Sequence, residues 1–162
     1  MRALALLRAR GVDAALTLVG SSDPTYDLYL RQLVADEGLA DRVRFVDHVE
    51  DPHAFVSGAD VALMCSVNEA FGRVTVEAMK LGVPVVGAAS GGTLDIVRDG
   101  ATGLLYRPGD PADLAEKLGR LHGDPALRSR MGRAARDDAH ERFTLDRFGH
   151  ELRAALERTI AQ

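Results

Sequence analysis

Two apolar runs, residues 60–65 past the opening Asp60 and residues 83–87, flank a helical pattern at 71–81, and they constrain this chain more than any other feature. A strand that is apolar at nearly every position has no wet side, so both of its faces must be covered. Period-two alternation would instead mark a sheet with one solvated face. Further strands are expected at 14–19, 43–46 and 103–106, separated by a helix near 26–38, a short one opening at Asp51-Pro52, and another starting at 94–97. Strands alternating with helices predict an α/β fold: an open, mostly parallel sheet with helices on both faces and right-handed crossovers. Residues 1–10 read as a helix closed by Gly11. From Asp110-Pro111 onward every pattern is helical, at 110–121, 125–141 and 145–160. The chain, 1–162, therefore reads as a single domain, an α/β core of about 1–109 followed by a helical tail at 110–162. Its 162 residues, 46% of them hydrophobic, are enough for one core.

Charge removes several function classes. The net charge is -4, and no long basic run occurs, so nucleic acid is not an expected partner. Arg128, Arg130, Arg133 and Arg136 are interleaved with Asp137, Asp138 and Glu141, which reads as a solvated helix face. The single cysteine, Cys65, excludes a disulfide framework and a cysteine-based metal site. It ends an apolar run and is expected to be a small buried hydrophobe, a usage that suits a reducing cytoplasm. Arg8 and Arg10 interrupt the opening apolar stretch too early for a signal peptide. No apolar run approaches the ~18 residues a membrane-spanning helix needs.

In a sheet of this kind a ligand lies beyond the carboxyl ends of the strands. Four loops there are unusual: Gly20-Ser-Ser-Asp23, Asp47-His-Val-Glu-Asp51, residues 66–72, and residues 88–93. Two of them run into helix starts, where free amides and the helix dipole favour an anion. Gly72 would let backbone approach such an anion closely, and Arg73 would add a cation. Taken singly, Gly72 and Gly91-Gly92 are ordinary turn residues; their placement after consecutive buried strands gives them more weight. Glu69 and Glu77 stand eight positions apart, Glu69 before the expected helix and Glu77 within it. With Phe71, Val74, Ala78 and Leu81 set as the buried face, Glu77 falls where burial would be costly without a partner. A rise of about 1.5 Å per residue separates the two carboxylates by roughly 10 Å. That is too far for a shared-proton pair and suits two anchors on one extended ligand, with an anion between them. Two ordinary helix acids would give the same spacing. His48 and His53 flank a loop near the same edge, where a lone histidine is more often structural or solvent-facing than catalytic. Neither a phosphate loop of the Gly-x-x-x-x-Gly-Lys type, nor Gly-x-Gly-x-x-Gly, nor Gly-x-Ser-x-Gly is present.

The run Glu69-Ala-Phe-Gly-Arg-Val-Thr-Val-Glu77-Ala-Met, followed by Gly82-Val-Pro-Val-Val86, Gly91-Gly92, Gly103-Leu-Leu and Pro108-Gly-Asp-Pro111, resembles the C-terminal, donor-binding domain of retaining GT-B glycosyltransferases of the group 1 or family 4 type. The resemblance covers nearly the whole chain. It implies a nucleotide diphosphate sugar as donor substrate, no cofactor, no metal ion, and transfer with retained configuration. By the same resemblance Glu69 contacts the donor sugar and is the candidate catalytic residue, while Glu77 holds the ribose hydroxyls. Phe71, Gly72, Arg73 and Val74 meet the diphosphate through their backbone, and Val49 lies near the base.

Three departures accompany it. Asp95 stands where many members have glutamate, and Arg73 and Lys80 replace residues that are usually apolar or small. The family's first strand of this domain, and the whole acceptor-binding N-terminal domain, would precede Met1. The isolated chain is therefore expected to have little transfer activity, to need that N-terminal domain or a partner chain, and to associate with membranes, if at all, through the absent half. An unpaired sheet edge predicts a tendency to homodimerise. Two other functions share the fold: half of a sugar-nucleotide epimerase, or a binding module without chemistry.

Overall fold

The computed structural model describes residues 1–160. Five strands and eight helices succeed one another along the described chain: α1 (Arg2–Ala9), β1 (Leu16–Val19), α2 (Pro24–Asp36), β2 (Val43–Val46), α3 (His53–Ser57), β3 (Ala62–Met64), α4 (Arg73–Lys80), β4 (Val85–Ala88), α5 (Gly92–Ile96), β5 (Gly103–Tyr106), α6 (Pro111–Gly123), α7 (Pro125–Arg142) and α8 (Leu145–Ile160). All strand pairing is parallel. The strands form two groups, β1-β2 and β3-β4-β5, rather than one continuous ladder.

The same dipeptide starts three of the helices. Asp23, Asp110 and Asp124 each accept hydrogen bonds from first-turn amides, and Pro24, Pro111 and Pro125 occupy the first helical position. Proline there loses no hydrogen bond, and each aspartate cap contributes about 1 kcal/mol. At the fourth instance, Asp51 accepts from the His53 amide at 2.9 Å and α3 begins one residue later.

β4 is buried at every position, as a central parallel strand must be. On one side it packs with Leu104, Leu121, Leu127 and Met131; on the other Val85 meets Met79, Ile96 and Ala135. α1 spans the two strand groups: Leu4 packs in the cluster with Leu16 and Phe45, and Ala3 and Leu7 in the cluster with Val86 and Leu104. In the tail, α6 lies on α1 and α7 on α4, whereas α8 buries none of its described residues.

Two expectations are corrected. Cys65 is exposed, because β3 ends at Met64 and the cysteine lies past it. Asp138 is buried, not solvated: it faces Arg98 at 2.9 Å and Arg142 at 2.7 Å.

Candidate functional site

The loops after β3 and β4 are locked to each other. The Gly92 amide donates to Glu69 O at 2.7 Å, and the Asn68 amide to Ser90 Oγ at 3.3 Å. A Cβ on Gly91 would stand 2.5 Å from Glu69 O, and one on Gly92 2.7 Å from Ala70 O. No side chain fits in either place, so the double glycine is a contact surface as well as a turn. Asn68 adopts a left-handed backbone, φ 67°, a conformation its short polar side chain tolerates better than most.

These contacts set the start of α4. Gly72 is its N-cap at φ 80°, ψ 53°, and the Glu69 carboxylate accepts a hydrogen bond from the Gly72 amide at 3.2 Å. The next amides, of Arg73 and Val74, have no acceptor within the helix. The left-handed turn at Gly72 leaves Phe71 outside the helix, and within α4 the inward face is not the one assumed from the sequence. Phe71 and Val74 are half exposed, and α4 instead buries Thr75, Val76, Ala78 and Met79. Leu81, past the helix end, is also exposed.

Glu77 consequently lies off the buried face. Its side chain is 34% exposed and sits 3.8 Å from Arg73 Nη2, one turn earlier. The pair is worth a few tenths of a kcal/mol at most. Glu69, Phe71, Gly72, Arg73, Val74 and Glu77 thus cluster around one helix start, with two backbone amides and an exposed cation at its mouth.

Val49 lies elsewhere, on the loop after β2, and is half-buried. Near it, at the ends of β1 and β2, Gly20, Ser21, Arg31, Phe45 and Asp47 line a cavity of about 270 Å³. Arg31 is held there by Asp27 at 2.6 Å and stacks over the Phe45 ring at 4.4 Å. His48 is exposed, and His53 faces Asp51 at 3.2 Å. Tyr106 is buried at the end of β5; burial, and then the Cys65 thiol beside it, push its phenol above the ordinary range. Among the described residues, no three His, Cys, Asp or Glu side chains gather as a metal site.

Residues 1–138 match the family of glycosyl transferases group 1. The chain belongs to this family. Among its relatives, the D-inositol 3-phosphate glycosyltransferase of Arthrobacter sp. (strain FB24) is 39% identical over 139 residues, covering 83% of this chain and 33% of the relative. The N-acetyl-alpha-D-glucosaminyl L-malate synthase of Bacillus anthracis is 35% identical over 137 residues, covering 85% and 35%. This group 1 chain therefore spans about a third of the length of the curated relatives it matches. Its fold superposes on Anabaena Alr3699/HepE, solved in complex with UDP-glucose, with a TM-score of 0.87 and 28% identity over 98% of this chain and 45% of that one. The C-terminal domain of Francisella tularensis LpcC, a group 1 family protein, shares the fold with a TM-score of 0.79 at 23% identity, over 89% of this chain and 77% of that domain.

Sequence reasoning missed a polar cluster at the end of α7. Arg142, Asp138 and Arg98 join there, and Lys80 Nζ donates to Phe143 O at 2.9 Å. Lys80 had registered only as a departure from the family pattern. Its partner lies 63 positions away, a separation at which no local spacing signal operates.

Proposed function

We propose that this chain is the donor-binding part of a group 1 glycosyltransferase, and that it holds a nucleotide diphosphate sugar at the start of α4. The observation that carries this is the locked pair of loops. Glu69, the Arg73 and Val74 amides and Glu77 follow one another along a single helix start, whose geometry is fixed by Gly91 and Gly92. Family membership, and the UDP-glucose complex of the 28% identical HepE, support it.

In this scheme the diphosphate takes the free amides and the helix dipole. Arg73 swings from Glu77 to the phosphate, at little cost because their pairing is weak and exposed. Glu77 then accepts from the ribose hydroxyls by charge-assisted hydrogen bonds. Glu69 contacts the transferred sugar through the oxygen not engaged by Gly72. Val49 lies toward the base, next to the cavity that Arg31 and Phe45 line. Transfer retains configuration, without a metal ion, and the protein contributes mainly by positioning and by neutralising charge on the departing phosphate. The acceptor side comes from the remainder of a longer protein or from a partner chain, so the chain alone turns over little sugar.

Calorimetric titration with UDP-, GDP- and ADP-glucose tests the proposal. At least one should bind, and the matching nucleoside diphosphate should compete with it. Binding of none of the three overturns the proposal.

A further inference from the structure

We infer that Phe143 is a positioning residue for the donor site, acting through Phe71. This rests on the donor-site reading above and adds a residue to it that lies 72 positions from Phe71 in sequence.

The segment Glu69-Ala70-Phe71 is held from two sides. On one side is α5: the Gly92 amide grips Glu69 O, and the absence of a side chain at Gly92 leaves room for the backbone of Ala70 and Phe71. On the other side is Phe143, just past α7, whose ring meets the Phe71 ring edge-on, with centroids 6.0 Å apart and planes at 77°. Such aromatic pairs have a preferred geometry, so one ring orients the other.

Phe143 is itself tied to the elements that build the site. Its carbonyl accepts Lys80 Nζ, at the far end of α4. Its neighbour Arg142 lies over the Phe143 ring at 4.8 Å and donates to Asp95 O at 2.5 Å and Ile96 O at 3.2 Å, at the carboxyl end of α5. Asp138, buried between Arg98 and Arg142, fixes that guanidinium. The end of α7 therefore grips α5 at its last turn, α4 at its last residue, and the loop before α4 at Phe71. Gly72 and the first amides of α4 follow Phe71 directly, so a loose Phe71 loosens the proposed diphosphate site.

The test uses the full chain with Phe143→Ala and the ring-retaining Phe143→Tyr. Hydrogen exchange is followed at the Gly72, Thr75 and Val76 amides, with β4 amides as the control for the fold, and UDP affinity is measured by calorimetry. Phe143→Ala should speed exchange at the three α4-start amides, leave β4 unchanged, and weaken UDP about tenfold. Phe143→Tyr should restore both. Unchanged exchange in Phe143→Ala overturns the inference, as does a loss of protection spread equally over β4. If the parent chain binds no UDP, GDP or ADP, the donor-site reading fails; the exchange measurement still decides whether Phe143 fixes this loop.

Discussion

The Glu69 carboxylate accepts a hydrogen bond from the Gly72 amide at 3.2 Å, so this acid closes the turn that leads into α4. Replacing it with alanine removes the acceptor of that amide, and with it about 1 kcal/mol of stability. Glu69→Gln keeps an acceptor oxygen and should lose much less. Urea denaturation of the two variants checks the difference, and equal losses would show that this hydrogen bond contributes nothing.

Gly92 and Gly123 make a matched pair. A Cβ at Gly92 would meet Ala70 O at 2.7 Å and Phe71 atoms at 3.0 Å, whereas one at Gly123 meets nothing within 4 Å. Gly92→Ala should cost about 1–3 kcal/mol through forced backbone shifts. Gly123→Ala should be neutral or slightly stabilising. Thermal denaturation of both measures the contrast.

Asp138 is buried between two guanidinium groups. Asp138→Ala leaves the half-buried Arg142 without its carboxylate, while the exposed Arg98 is solvated, and should cost about 1–3 kcal/mol. Substituting an exposed acid of the same helix, Asp137, should cost under about 0.5 kcal/mol. A chemical denaturation series on the two single variants tells them apart.

The Asp113 carboxyl is held below its ordinary value, first by the Arg107 amide at 2.8 Å and then by the charges of Lys117 and Arg107. A depressed carboxyl contributes stability that is present above the unfolded-chain value of about 3.9 and is lost as pH falls through the lower folded value. Asp113→Asn should flatten that part of the acid limb while leaving the pH profile near neutrality parallel to the parent. Denaturation midpoints followed into the acid range give the result.

α8 carries Leu145, Phe148, Leu152, Leu156 and Ile160 with all five exposed, and it buries none of its residues against the rest of the chain. Removing residues 145–162 should therefore change unfolding free energy by less than about 1 kcal/mol. A larger loss would mean that α8 supports the α/β unit.

Much of the fold was legible because its signals are local. The apolar runs that follow Asp60 and fill 83–87 mark strands covered by helices, and the Asp-Pro pairs mark helix starts. The two strand groups were not legible, since strand pairing across long crossovers leaves no local spacing. At the site, the stretch from Glu69 to Glu77 was found by spacing, but its orientation was misjudged. Taking Val74 and Leu81 as inward positions places Glu77 at the buried face, whereas α4 turns Thr75, Val76, Ala78 and Met79 inward, a rotation set by its packing on β3 and α7. The double glycine read as a turn, because its second role, admitting the backbone of residues 69–71, requires the other loop. The Asp138 cluster was invisible for the same reason: Arg98 is 40 positions away.

The central claim is that Glu77 anchors the ribose of a nucleotide sugar while the helix start beside it takes the diphosphate. The most direct test is a calorimetric comparison of the parent chain with Glu77→Ala, titrated with whichever of UDP-, GDP- or ADP-glucose the parent binds. A lost charge-assisted hydrogen bond should weaken binding by about tenfold or more, with the fold intact, as the half-exposed side chain allows. Equal affinity for the two proteins would contradict the account.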